Sequence, residues 1–212
     1  MTQPRGLLFV ISAPSGAGKT SLVAALLRAD PNLKVSISHT TRARRPRETN
    51  GEHYHFVDQA AFTAMIERGE FLEHAEVFGK RYGTARQSVD RELAQGRDVI
   101  LEIDWQGAQQ IRARHSDAVS VFVLPPSRKV LLERLMSRAQ DGADAIRERS
   151  RKAVSEMSHY AEFDYLVVND DFDAALADLT TIVGAARLGQ KSQRIRLDAL
   201  LRELLSGQEP IE

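Results

Sequence analysis

The run Leu7-Leu8-Phe9-Val10-Ile11, followed at once by Ser12-Ala13-Pro14-Ser15-Gly16-Ala17-Gly18-Lys19-Thr20-Ser21, decides how this chain folds. Five consecutive apolar residues predict a buried strand, the proline and two glycines a tight loop, and Lys19 to Leu27 a helix. Strand, loop and helix in that order form a phosphate cradle. The loop and the helix N-terminus present unpaired N–H groups to an anion, Lys19 adds a mobile positive charge, and the Thr20 hydroxyl suits Mg²⁺. The pattern G-x-x-x-x-G-K-[ST] is met everywhere except at its first position, Ala13. A methyl there is harmless at negative φ and costs about 1–2 kcal/mol at positive φ.

Working outward, the 212 residues suit one α/β domain with an inserted subdomain, and 42% hydrophobic residues can fill its core. Lys+Arg and Asp+Glu stand at 29 each, a formal net charge of zero. A general nucleic-acid binder is usually strongly basic, so nucleic acid is not an expected partner and anion binding must be local. The absence of cysteine excludes disulfides, thiol nucleophiles and thiolate metal sites. The first apolar run is too short for a signal segment or a membrane span, so a cytoplasmic protein with no membrane partner is expected.

Four more segments read as buried strands: residues 34–37, 99–103, 118–124 and 165–168. Helical patterns lie between and after them, at about 86–95, 105–115, 127–138, 144–160 and 172–188. This alternation predicts a five-stranded parallel sheet with helices on both faces, and ligands in such sheets bind at the carboxyl ends of strands. The core is expected to comprise about 5–37, 84–133 and 156–188. Residues 38–83 break the rhythm and predict a small α+β insertion. It would contain short antiparallel strands at 54–57, 71–78 and 79–82, a hairpin at Gly79, and a helix from Gln59 to Arg68. Lys191 to Leu205 has apolar residues at helical spacing, an amphipathic helix (about 191–206) that is either packed on the core or an oligomer contact.

Several clusters follow these strands. Arg42, Arg44, Arg45 and Arg47 share a loop, either a solvated charged loop or a second phosphate clamp, since guanidinium binds phosphate bidentately. Tyr54 and Tyr82 can add phenolic donors to the same anion. Glu102 and Asp104 end the central strand on one face, where carboxylates either position Mg²⁺ or its waters or cap the next helix. Glu73, on a strand of the insertion, is either a surface residue or part of the site. Arg134 and Arg138 share a helical face, and Arg147, Arg149 and Arg151 follow a glycine-bearing stretch. They form either a closing lid, about 134–155, or ordinary helix-surface ion pairs with Glu133, Glu148 or Glu156. The six histidines lack a ligand set at metal spacing.

Taken together, these residues resemble the guanylate kinase family of nucleoside monophosphate kinases from about Leu7 to Arg187. The resemblance rests on residues 12–20, Ser38-His39-Thr40-Thr41-Arg42 with Arg45, Asn50-Gly51-Glu52-His53-Tyr54 and Phe71-Leu72-Glu73-His74-Ala75. It also rests on Tyr82-Gly83-Thr84, Ile103-Asp104-Trp105-Gln106-Gly107 and Val168-Asn169-Asp170-Asp171. Bacterial members commonly carry Ala at the Ala13 position.

The resemblance implies transfer of the γ-phosphoryl of ATP to GMP, with Mg²⁺, and with dGMP as a further acceptor. It assigns ATP to Ala13, Pro14, Ser15, Gly16, Ala17, Gly18, Lys19, Thr20 and Ser21, with Arg134 as a lid arginine alongside Arg138 and Arg149, and with Asn169 beside adenine. It assigns the GMP phosphate to Arg42, Arg45, Tyr54 and Tyr82, and guanine to Ser38, Glu73, Thr84 and Asp104. Lys19, Arg42 and the lid arginines Arg138 and Arg149 would serve catalysis, and Thr20 and Glu102 would face the metal. Glu102 stands where the family usually has Asp, and Ala139 where it usually has Gly. Two other readings fit the loop: a related kinase with another phosphorylated acceptor, such as a ribose bisphosphate, and a catalytically inactive protein-binding module of the same fold.

Overall fold

The computed structural model describes residues 5–77, 79–138 and 151–206, apart from the side chains of residues 137 and 138. Its main sheet has five strands: β1 (Leu8–Ser12), β2 (Leu33–Val35), β7 (Asp98–Glu102), β8 (Val119–Leu124) and β9 (Tyr165–Val168). They lie in the order β2-β7-β1-β8-β9, and every pairing is parallel. The apolar run therefore supplies four of the five residues of the central strand, Leu8–Ser12, which is buried at every position.

Period-two alternation divides the core between the two faces. Phe9 and Ile11 of β1, Ile100 of β7 and Val121 and Val123 of β8 pack with α1 (Lys19–Ala29) and α7 (Phe172–Leu188) through Leu22, Leu26, Leu179 and Val183. Leu8, Val10, Val99, Leu101 and Phe122 face the other way, onto Val89 and Leu93 of α3 (Arg86–Ala94) and Ala108 and Ile111 of α4 (Trp105–Arg114). Helices on both faces follow from strands that are apolar on both.

A second sheet carries β3 (His39–Thr40), β4 (His55–Phe56), β5 (Phe71–Val77) and β6 (Lys80–Ala85) in the order β4-β3-β6-β5, beside α2 (Gln59–Glu67). The hairpin turns at Gly79, whose φ of 69° favours glycine. One expectation needs correction: the strand at 54–57 is not antiparallel but pairs parallel with β3, a two-residue strand that hydrophobic periodicity cannot reveal. A register shift between Phe71 and Glu73 makes Leu72 the extra residue of a bulge. Three successive residues, Phe71, Leu72 and Glu73, are consequently buried, which simple alternation forbids.

The expected helix at 144–160 is described only from 151. Residues 151–157 are helical (α6) and pass into a 3-10 turn, Ser158–Glu162. Of the expected lid at 134–155, residues 139–150, including Arg147 and Arg149, lie outside the described residues. The tail forms two helices, α8 (Gln190–Arg196) and α9 (Asp198–Ser206), rather than one, and none of their residues is buried.

Arg187, near the end of α7, ties three elements together. Its Nε donates to Asp98 Oδ2 at 2.7 Å and its Nη1 to Asp30 Oδ2 at 2.5 Å, while Asp98 Oδ1 accepts from the Leu7 amide at 2.7 Å. The Asp98 side chain is only 5% exposed, so removing the guanidinium strands a buried carboxylate. Arg187→Ala is expected to destabilise the fold by about 2 kcal/mol in urea unfolding. A change below about 0.5 kcal/mol would place the contact among ordinary surface pairs.

Candidate active site

The carboxyl ends of β1 and β7 open onto a cleft of about 990 Å³ between the two sheets. Its floor is the loop after β1, with Ala13, Ser15 and Lys19 on the lining. Gly16 and Gly18 have φ near 92° and 93°, the left-handed conformation that the loop needs to turn into α1. Gly18 has a second reason to lack a side chain. A Cβ there would lie 2.3 Å from Asn169 Nδ2, which donates to the Ala17 carbonyl at 2.7 Å. Asn169 thus braces the loop from the end of β9.

Lys19 Nζ lies 3.0 Å from Glu102 Oε1, and the Thr20 hydroxyl donates to the same oxygen. Burial alone would raise the Glu102 pKa, but the Lys19 charge and the two hydrogen bonds outweigh it and hold the carboxyl below its ordinary value. This is a hydroxyl and a carboxylate converging beside a lysine, with Glu102 ionised.

The opposite wall comes from the second sheet and the loop before it. Arg42, Arg45, Tyr54 and Tyr82 line it together, with Ser38 nearby. Arg42 grips Glu48 with both terminal nitrogens, at 2.9 and 2.7 Å, and the Arg45 amide donates to the same carboxylate at 2.8 Å. The hydrogen bonds from Arg42, together with the nearby positive charges, outweigh partial burial and bring the Glu48 pKa down to about 2. Glu48 fixes the arginine loop, a role invisible in sequence because nothing there marks it from a solvated glutamate. The Arg42 guanidinium also sits 5.3 Å from the centre of the Tyr54 ring.

At the inner end lies Glu73. The bulge turns it inward, it is 3% exposed, and its Oε1 accepts from the Thr84 hydroxyl at 2.6 Å. Thr84 is fully buried behind Glu73 and does not line the cleft itself. Asp104 lines the cleft and also caps α4, its Oδ1 accepting from the Gly107 amide at 3.0 Å, so the capping reading of that carboxylate holds. A Cβ on Gly107 would meet Glu73 Oε2 at 2.5 Å, which explains the glycine in the first turn of α4. Burial, reinforced by the Asp104 charge, pushes the Glu73 carboxyl up to about 7 despite the bond from Thr84.

A smaller pocket of about 270 Å³ lies on the other side of the loop, lined by Gly16, Gly18, Ser21, Arg134, Asn169 and Phe172. Arg134 Nη2 donates to the Asn169 carbonyl at 3.2 Å. Arg138 belongs to α5 (Arg128–Arg138), but its side chain, like the whole of Arg149, lies outside the described residues. Glu156, expected only as a surface ion-pair partner, instead lines the main cleft.

The guanylate kinase family model matches residues 5–186. The chain belongs to the guanylate kinase family. It is 56% identical to the guanylate kinases of Salmonella typhi and of Escherichia coli K12, over 95% of this chain and 99% of each relative. The crystal structure of guanylate kinase from Anaplasma phagocytophilum superposes with a TM-score of 0.79 at 33% identity, covering 100% of this chain and 99% of that one. The chain is accordingly an ATP:GMP phosphotransferase.

The high pKa of Glu73 carries a stability cost with a definite sign. A folded value of about 7, above the ordinary 4.5, means the neutral form is favoured in the fold. Relative stability is full below the ordinary value and is lost as pH rises through about 7. Glu73→Gln is therefore expected to raise the thermal midpoint at pH 8, on the order of 2 kcal/mol in stability, and to have little effect near pH 4.5. A pH-independent difference in melts followed by circular dichroism would contradict this.

Proposed function

We propose that this chain performs ATP + GMP → ADP + GDP by holding the two nucleotides against opposite walls of the one cleft. The reading rests on the meeting, within a single cavity, of the Lys19 loop, the Arg42–Arg45–Tyr54–Tyr82 wall and the buried carboxylate of Glu73. The loop from Ala13 to Ser21 takes the ATP phosphates through Lys19 and the amides not already bonded within the protein, and Arg134 and Asn169 flank the base in the smaller pocket. Arg42 and Arg45, with the two phenols, take the GMP phosphate and set its oxygen in line with the γ-phosphoryl.

Arg42 is already oriented by Glu48, so little side-chain entropy is lost when it grips phosphate. Lys19 and Arg42 then stand on either side of the transferring group and neutralise charge as it spreads over the phosphoryl oxygens. The Thr20 hydroxyl and the ionised Glu102, both hard oxygen donors in mutual contact, fit Mg²⁺, directly or through its waters. When bound, that ion supplies charge neutralisation on the ATP phosphates.

Glu73 reads the base, supported by Thr84, with Ser38 and Asp104 beside it. An ionised carboxylate accepts from guanine N1–H and its exocyclic amine together, whereas adenine offers neither donor there and leaves a buried charge unpaired. The groups assigned here are directed at phosphate and base rather than at the ribose, and dGMP is expected as a further acceptor. The reaction belongs to guanine nucleotide synthesis and recycling, and a cytoplasmic location fits a chain in which no described helix is long and apolar enough to cross a membrane.

The test is ADP formation from ATP–Mg²⁺ with GMP, dGMP, AMP, UMP and a ribose bisphosphate as acceptors. GMP and dGMP should be turned over, and AMP should fall short in kcat/KM by about 10⁴-fold. Comparable turnover of AMP, or preference for the ribose bisphosphate, would overturn the assignment of the inner wall.

A further inference from the structure

Glu156 belongs to α6, and its Oε2 accepts a hydrogen bond from the Ser15 amide at 3.0 Å. A carboxylate on the floor of an anion-binding cleft needs a physical reason, because it repels the phosphates the loop receives. The reason lies in how the loop is held. Its Ala17 carbonyl is tied to Asn169 Nδ2 at 2.7 Å, and Leu131 and Leu135 of α5 crowd against Gly16, where a Cβ would find their carbons at 3.1–3.3 Å. Those contacts fix the half of the loop nearest α1. The outer half, after Pro14, has the Glu156 carboxylate bonded to its Ser15 amide.

The element bearing Glu156 is itself firmly seated. Ala153, one turn earlier, is fully buried with Leu131 and Leu135. Just beyond, the His159 ring stacks on Trp105 with centroids 3.5 Å apart and planes 7° from parallel, and His159 Nδ1 lies 2.6 Å from Glu162 Oε1. Glu162 is in turn paired with Arg112 of α4 at 2.5 Å. A hydrogen bond from such a fixed group restrains the loop, whereas one from a mobile surface chain would follow it.

We propose that Glu156 is a positioning residue for the phosphate loop, its carboxylate holding the Ser15 amide so that the remaining loop amides stay aimed at the ATP phosphates. A charge-assisted bond of this kind offsets the repulsion by fixing the loop before the nucleotide arrives. The inference rests on the assignment of this loop to ATP.

The test compares ADP and GMP binding by calorimetry in the full-length wild type, Glu156→Ala, Glu156→Gln and Lys19→Ala. It also measures hydrogen exchange of the Ser15 amide without nucleotide. Glu156→Ala should weaken ADP about 10-fold, leave GMP within about 2-fold, and speed Ser15 exchange. Glu156→Gln, whose amide oxygen still accepts, should recover ADP binding to within about 3-fold. Tighter ADP binding in Glu156→Ala would show that the carboxylate merely obstructs the cradle, and equal weakening of both ligands would show a general packing defect. Either result overturns the proposal, as does unchanged ADP affinity. Lys19→Ala separates the two levels: if it too binds ADP normally, the assignment of the loop is what fails.

Discussion

All five strands of the main sheet run parallel, so their carboxyl ends share one edge, and the Lys19 loop, Glu102, Asp104 and Asn169 are gathered along it. Because β1 lies between β7 and β8, the loop after β1 faces Glu102 from the neighbouring strand. The same order brings Asn169, after β9, against the back of that loop. Strand order brings these parts together although Asn169 and Ala17 lie 152 residues apart in sequence.

The second sheet supplies what this edge cannot, a wall facing it. Its bulge at Leu72 is the decisive local irregularity. With regular alternation, Leu72 and Glu73 would point to opposite faces; the extra residue lets Leu72 join the core while Glu73 turns into the cleft. The outcome is a carboxylate held where its charge is disfavoured, at a cost in stability that a ligand with two donors can offset.

The parts of this arrangement that could be read from sequence are those with a local signal. Leu7–Ile11 is apolar on every residue and supplies four of the five residues of the central strand. Residues 12–20 carry a spacing whose chemistry is tied to their order, and the arginines of 42–47 have a charge density that a bare loop rarely needs. What sequence hid was set by contacts between distant residues. β3 has only two residues and takes its identity from its partners, so the parallel pairing of β4 was missed. Glu48 and Glu156 look like surface glutamates until the fold sets one against Arg42 and the other against Ser15. The tail reads as one amphipathic helix, yet it breaks at Leu197 between α8 and α9.

The central proposal is that burial raises the Glu73 carboxyl to about 7, so that it is neutral below that pH, and that GMP draws it into the charged form that reads guanine. The most direct measurement is the carbon NMR titration of its side-chain carboxyl in ¹³C-glutamate-labelled protein, with the signal assigned by its loss in Glu73→Gln. One glutamate signal should titrate near pH 7 and, at pH 6.5, move to its ionised position on addition of GMP but not of AMP. A Glu73 signal titrating in the ordinary carboxylate range, or one that keeps its proton with GMP bound, would contradict the account.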